Sequence, residues 1–396
     1  MSINKQIEAI TEQDLQNLVD EQETESRSLD YKHILNLGVD KAKEDFRKDV
    51  TAFANSAGGY LVIGIRDSDG APQELCGFDL GGQSQEQHRL RLLEILQSRI
   101  KPRLQGINIR LFQLDKGPWV ALIHVPESFA KPHQVEIGNK DFQFWFRHDG
   151  GNQRMDVDEI KDAVLASDTL SERIRNFRLE RIGSIFANDT PMMMKSSPKL
   201  VLHIIPLSAF GTSIGYDVAS LGRENLADLS PMCGGIRNHQ FNFDGFLTYS
   251  RDPSASQSNS YLQIFRNGIV EAVDGLTFDS GDQQTKTYPA TIYERDLLTA
   301  IPRFLEVQKN LGVEAPLMLM VSLLKVAEFS IVRNPHGFVT NRTNFGRENL
   351  IIPEVMLESF DEDIDVKMRP VFDTIWNSGG HEACPNYDRQ GNWHYR

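Results

Sequence analysis

A chain of 396 residues is longer than one hydrophobic core usually serves, so two domains are expected and a disulfide-stapled miniprotein is excluded. Forty per cent apolar and 24% charged residues exclude a disordered tail, and no run approaches the ~18 apolar residues of a membrane span. The formal charge of −13, from 42 Lys and Arg against 55 Asp and Glu, argues against indiscriminate coating of polyanions and leaves room for a local basic face.

In chain order, Thr11-Glu-Gln-Asp-Leu reads as a capping box opening a helix, with Leu15, Leu18 and Val19 at helical spacing. Leu29-Asp-Tyr-Lys32 alternates as a strand does, Leu29 and Tyr31 on one face and Asp30 and Lys32 on the other. Phe46, Val50, Phe53, Ala54 and Ala57 fall at helical spacing, and the chain then turns at Gly58-Gly59 into Tyr60-Leu-Val-Ile-Gly-Ile65, which suits a buried strand. Ser84 opens another amphipathic helix, with Leu90, Leu93, Leu96 and Ile100 repeating until Pro102. Strands are predicted over 107–114, 119–125 and 142–146. Asp156 with Glu159 starts a short helix, and a longer one runs from about Leu170 to Phe186 as a connector.

The stretch 188–198, with two prolines and three consecutive methionines, is read as a boundary. Beyond it, 200–205, 261–265, 269–273 and 317–324 read as strands, and 293–311 and 366–377 as helices. The expected organisation is α+β: a first domain over 1–165, a connector helix and linker over 166–198, and a second mixed α/β domain over 199–396. Cys76, Cys233 and Cys384 lie far apart, as in a reducing compartment, and the first residues show no secretory pattern, so a cytoplasmic protein without a membrane anchor is expected.

No Gly-Lys-Ser/Thr loop marks a P-loop nucleotide site, and no His-Glu-x-x-His or paired Cys-x-x-Cys marks zinc. Gly211-Thr-Ser-Ile-Gly215 matches the nucleophile-elbow pattern, but no convincing helix follows it, so it is read as a chance match in a Gly/Ser loop. The chemistry lies earlier. Asp30 beside Lys32 suits phosphodiester hydrolysis, where carboxylates hold Mg²⁺ and an ammonium screens charge; a plain salt bridge on a solvated strand is the alternative. For Glu25 to converge with Asp30, five residues on, it must lie in the loop or helix end before the strand. Asp67, with Asp69 as a second candidate, sits in an Asp-Ser-Asp-Gly run that equally suits a turn. Basic residues gather at Arg89, Arg91, Arg99, Lys101, Arg103 and Arg110, a candidate phosphate-tracking groove or a solvated helix face. A second group, Arg173, Arg175, Arg178 and Arg181, either extends such a groove or pairs with the acidic segment 354–365. Asn55, Gly58 and Gly59 are assigned to shaping the turn after the helix.

Glu25-Ser-Arg-Ser-Leu-Asp-Tyr-Lys32, then Ala52-Phe-Ala-Asn-Ser-Ala-Gly-Gly59 and Tyr60-Leu-Val-Ile-Gly-Ile-Arg-Asp67, resemble the Schlafen AlbA domain. Lys131-Pro-His133 and Phe144-Trp-Phe-Arg-His-Asp-Gly150 resemble its later elements, so the likeness runs over about 20–160. The resemblance implies a mixed-sheet nucleic-acid-binding domain and, in some members, a metal-dependent endonuclease acting on transfer RNA in stress or antiviral defence. It implies Glu25, Asp30 and Asp67 as Mg²⁺ or Mn²⁺ ligands with Lys32 assisting, and brings Arg147 into the nucleic-acid-binding set. Asp30-Tyr31 stands where Glu-Phe is usual, one methylene shorter. A non-catalytic DNA- or RNA-binding regulator, whose C-terminal domain senses a ligand or protein partner, is the competing expectation; ATP binding is a third. Because some members enclose nucleic acid with two copies of the domain, a homodimer is expected.

Overall fold

The computed structural model describes residues 7–115, 117–138, 141–148, 151–195, 197–210, 215–223, 227–235, 238–250, 256–275, 286–332, 343–388 and 390–394. Most of the Gly211–Gly215 motif, with part of the Phe144–Gly150 run and of the polar stretch 251–260, lies outside them. The chain divides into two compact units, Met1–Glu172 and Arg173–Arg396. Each is α+β.

The first unit opens with helix α1 (Glu12–Asp20), whose Thr11 cap exchanges hydrogen bonds with Asp14 in the predicted capping box. Strand β1 (Leu29–Lys32) follows, then α2 (Asp40–Asn55), β2 (Gly59–Ile63) and a hairpin of β3 (Ile65–Ser68) and β4 (Ala71–Leu75). Next come α3 (Gln85–Gln97), β5 (Ile100–Lys101), β6 (Asn108–Gln113), β7 (Trp119–Val125), β8 (Gln134–Ile137), β9 (Asp141–His148) and β10 (Gly151–Arg154). A mixed sheet in the order β1-β2-β7-β6 pairs β1 with β2 in parallel and the rest antiparallel. A second, antiparallel sheet runs β10-β9-β8-β5.

Strand alternation separates two cores across the mixed sheet. Leu61, Ile63, Ala121 and Ile123 pack with Phe46, Val50 and Phe53 of α2 and Leu92 and Leu96 of α3. Leu29, Tyr31, Val62, Val120 and Leu122 pack on the other side with Leu15 and Leu18 of α1. The phase of α3 differs from the expected stripe. Leu92, Ile95 and Leu96 are buried whereas Leu90 is 52% exposed, because the side facing α2 is set by an i, i+3, i+4 group that does not coincide with the leucine repeat. The helix also stops at Gln97, before Pro102.

One continuous helix, α4 (Val157–Phe186), replaces the two expected; Asp156 caps it by accepting from the backbone N–H of Asp158 and Glu159. With no Pro or Gly between Val157 and Asn176 to interrupt it, the helix carries through.

The second unit is built on β11 (Lys199–Pro206), β12 (Asn238–Phe241), β13 (Gly245–Ser250), β14 (Ser260–Phe265) and β15 (Val270–Asp274). After β16 (Thr287–Pro289) come α5 (Ala290–Asn310), β17 (Leu317–Leu324), β18 (Ser330–Val332), β19 (Asn349–Ile351), β20 (Val355–Leu357) and α6 (Ile364–Ser378). An antiparallel sheet runs β12-β13-β14-β15-β11-β17-β19, with β20 also on β17. On β11, Leu200, Leu202 and Ile204 pack with α5 and α6, while Val201 faces Ile182 and Ile185 of α4.

Candidate nucleic-acid interface and acidic centre

The first unit gathers its charged side chains where β1, α2, β9 and β10 meet. Leu29 and Tyr31 anchor β1 in the core, which turns Asp30 and Lys32 the other way. Asp30 is nevertheless 3% exposed, because Arg147 of β9 closes over it: Nη2 donates to Asp30 Oδ1 at 3.0 Å and to the Leu29 carbonyl at 2.9 Å, and Nε donates to the Ser26 carbonyl at 2.8 Å. The guanidinium stacks 4.6 Å from the Phe53 ring. Lys32 Nζ lies 2.9 Å from Asp30 Oδ2 and 3.7 Å from Asp49 Oδ2, and Asp49 Oδ1 accepts from Asn152 of β10.

Glu25 lies in the loop before β1, where convergence with Asp30 requires it. Its N–H donates to the Gly70 carbonyl at 2.8 Å, and its Oε1 accepts from the Tyr31 N–H at 3.2 Å, folding the side chain back toward Asp30. Burial and then the charge of Asp30 push the Glu25 carboxyl up to about 7. Burial likewise lifts Asp49 to about 6, Lys32 opposing the shift and Asp30 adding to it. For Lys32, burial works against the ammonium, but Asp49, Asp30 and Glu25 outweigh it and raise its pKa.

Asp67 is on β3, paired with Pro72, at the start of the turn that brings Gly70 over Glu25; Asp69 takes φ +51° in that turn. Among the described residues, no three or more His, Cys, Asp or Glu side chains form a group arranged to hold a metal ion, so Glu25, Asp30 and Asp67 do not converge as a ready-made trio. Glu25 and Asp30 do come together.

The basic residues divide into two kinds. Arg147, expected to contact nucleic acid, is 1% exposed and donates to Asp30, to the Ser26 and Leu29 carbonyls and to Asn152 Oδ1, as a buried counter-charge of the acidic centre. Arg110 clamps the carbonyls of Ile7, Glu8 and Ile10, and Arg91 donates to the Leu37 carbonyl, so both hold structure. Arg89 is paired with Glu86 on α3 through two hydrogen bonds. Arg99, Lys101 and Arg103 are exposed. In the second unit, Arg178 is buried against Ser322 and the carbonyls of Val321 and Ile352, Arg181 pairs with buried Glu271, Arg175 lies 3.4 Å from Glu354, and Arg173 donates to the Phe210 carbonyl. These contacts occupy the four arginines within that unit.

Residues 25–156 match the family model described as Schlafen, AlbA_2. This stretch, one third of the chain, is similar to the Schlafen AlbA_2 domain. The C-terminal half matches no family, and no curated protein matches the chain. Among solved structures, the DIP2311 protein of Corynebacterium diphtheriae is similar at 20% identity over 33% of this chain and 22% of that one, with a TM-score of 0.23. The chain therefore matches about a fifth of that protein's length. The domain family points to nucleic-acid binding.

Within the Schlafen AlbA_2 domain, Asn55 does more than shape its own turn. Its Nδ2 donates to the His133 carbonyl at 2.9 Å and the Trp145 carbonyl at 2.8 Å, and its Oδ1 accepts from the His133 N–H at 2.6 Å, fastening the end of α2 to the second sheet. Gly58 takes φ +73°, and a Cβ there would stand 2.6 Å from the Glu127 nitrogen. Asp49 and Asn152 were not singled out in the sequence. Asp49 carried a signal, since it sits three residues after Phe46 and beside Val50, on the buried stripe of α2 where an acid needs a partner.

The pair Glu25 and Asp30 fits a divalent cation in one respect: burial and the neighbouring Asp30 charge make ionisation of Glu25 costly, and a cation between the two carboxyls would offset that cost. Mg²⁺ is held by as few as one or two carboxylates, with waters and phosphate oxygens completing its shell. Asp67 is not part of that seat.

Proposed function

We propose that the Schlafen AlbA_2 domain binds nucleic acid and cleaves phosphodiesters at the Glu25–Asp30–Lys32 centre, with structured RNA such as transfer RNA as substrate. The observation that carries this reading is the Glu25 carboxyl, lifted to about 7 beside Asp30, with a half-exposed ammonium 2.9 Å from that aspartate. Carboxyls displaced by burial together with a neighbouring like charge gather at functional sites. Glu25 and Asp30 would hold a Mg²⁺ or Mn²⁺ ion, which when bound polarises a phosphodiester and stabilises the charge developing on it. Lys32, steered by Asp30 and Asp49, would meet a phosphate oxygen from the solvent side, and Arg147 holds the Asp30 carboxylate in place from beneath. Arg99, Lys101 and Arg103 would track the backbone.

The test is cleavage of labelled transfer RNA and single-stranded DNA with Mn²⁺ or with EDTA. Expected is metal-dependent cleavage, lost on Glu25→Gln and on Asp30→Asn. Cleavage that is absent, or unchanged in those variants, sinks the nuclease reading.

A second reading, a non-catalytic nucleic-acid-binding regulator, draws on the pairing of Asp30 with both Arg147 and Lys32 and on the lack, among the described residues, of a group of three carboxylates that could hold a metal. Binding without cleavage under every metal condition would favour it. In either case a cytoplasmic homodimer is proposed, with the second unit serving a partner or ligand; a monomer in light scattering at micromolar concentration would count against the dimer.

A further inference from the structure

Strand β9 presents two chemically different faces. Gln143, Trp145 and Arg147 lie on the side of α2, where Lys48 sits 5.1 Å from the Trp145 ring and Arg147 stacks on Phe53. By strand alternation Phe142, Phe144, Phe146 and His148 take the opposite side. Phe142 is 46% exposed, Phe144 and Phe146 are half-buried, and His148 is exposed, its ring 5.7 Å from that of Phe146. None of these four belongs to a hydrophobic core cluster among the described residues.

The register across the sheet completes this face. Gln134 stands opposite Phe144, Gln153 opposite Phe146, Glu136 opposite Phe142, and Lys101 opposite Gln134. An aromatic row is thus flanked by amides on both neighbouring strands. Lys101 lies at the edge strand, with exposed Arg99 and Arg103 on either side of it in the chain.

We propose that this face is a stacking platform for a single strand of nucleic acid, with Phe142, Phe144, Phe146 and His148 taking base faces and Arg99, Lys101 and Arg103 taking the phosphates. The proposal rests on the nucleic-acid-binding reading above and narrows the ligand of this face to the unpaired segments of such RNA. Three features choose this occupant. Aromatic rings at alternate positions of one strand can each meet a base, and such contact is tolerant of sequence. The positions opposite Phe144 and Phe146 on the neighbouring strands carry glutamine amides, which suit base edges, rather than the aliphatic residues of a protein core. The flanking cations complement a phosphate backbone, with Glu136 the opposing charge on the face. A duplex would not serve, because its bases already cover one another's faces and leave none for a flat sheet to stack on.

The test uses the full chain and fluorescence anisotropy with a labelled oligothymidine, its oligouridine counterpart and a duplex of equal length. The intact protein is expected to prefer the single strands. Phe142→Leu combined with Phe146→Leu keeps apolar bulk but removes the rings, and should weaken single-strand binding about tenfold or more while duplex binding stays unchanged. Photo-cross-linking of a bromouridine-substituted strand to the intact protein should map to the peptide carrying residues 142–148, a readout that needs no variant. The proposal is overturned if the leucine variant, folded by circular dichroism, binds single strands as the parent does while Arg99→Ala with Arg103→Ala loses affinity. It is equally overturned if cross-links fall elsewhere, or if the leucine changes abolish a dimer in light scattering without altering affinity. Failure of the intact protein to bind any nucleic acid would instead overturn the underlying functional reading.

Discussion

Glu25 shows how one loop residue acquires a property that its type does not have in water. Buried beside Asp30, its carboxyl holds a proton up to about pH 7 instead of its ordinary 4.5. Between these values the folded chain binds more protons than the unfolded one, so Glu25 costs stability increasingly as pH rises from 4.5 through 7. Glu25→Gln should therefore raise the melting temperature at pH 8 and change it little near pH 4.5. The same linkage predicts that millimolar Mg²⁺ stabilises the parent at pH 8 and not the Gln variant, which thermal shift reads without any activity assay. Equal melting shifts in both proteins would argue against a cation at this carboxylate pair. The acid itself was legible as a motif position. Its displaced pKa was not, since that depends first on the burial the fold imposes and then on the charge of Asp30 beside it, against the opposing hydrogen bond from the Tyr31 N–H.

Elements, rather than residues, account for the agreement and disagreement between pattern and structure. The α2, glycine turn and β2 unit was readable because each signal is local: an apolar stripe, then two glycines, then an apolar run. Gly58→Ala should confirm the turn's role, since the alanine would be strained at φ +73° and collide with the Glu127 backbone. A loss of about 1–3 kcal/mol in denaturant unfolding is expected. By contrast, the phase of α3 misled because Leu90, Leu93 and Leu96 form a regular repeat, and only the position of α2 decides that Leu92 and Ile95 face the core. The two faces of β9 are another case. A strand was legible over 142–146, but which face of it α2 covers is a matter of packing, and that choice sends Arg147 inward.

For the whole molecule, the charge of −13 hides a strong internal pairing of opposite charges. In the second unit Glu271 is fully buried, with two hydrogen bonds from Arg181 at 2.8 Å, one from the Tyr261 hydroxyl at 2.8 Å and His203 Nε2 3.0 Å away. Burial alone would raise its pKa; Arg181 and His203 outweigh that and hold it at about 2. Its folded value lies below its ordinary 4.5, so the stability it contributes is present above 4.5 and is lost as pH falls toward 2. Arg181→Met would leave the carboxylate buried with its main counter-charge gone and should cost about 3–5 kcal/mol. Calorimetry should show the loss in a transition of the second unit and leave that of the first unchanged.

Composition, periodicity and spacing by themselves determined the α+β class, most long elements and the Schlafen AlbA_2 likeness, because these depend on neighbours within a few residues or on a contiguous motif. Only the tertiary structure decided which charges meet. Asp30 and Arg147 are 117 residues apart and Arg181 and Glu271 are 90 apart, and a charge's burial, partner and pKa are set by what the fold brings within a few ångströms. The same reason separates the basic residues of the first unit: sequence grouped Arg89 to Arg110 as one stretch, and packing consumed Arg91 and Arg110 in holding the chain while leaving Arg99, Lys101 and Arg103 at the surface.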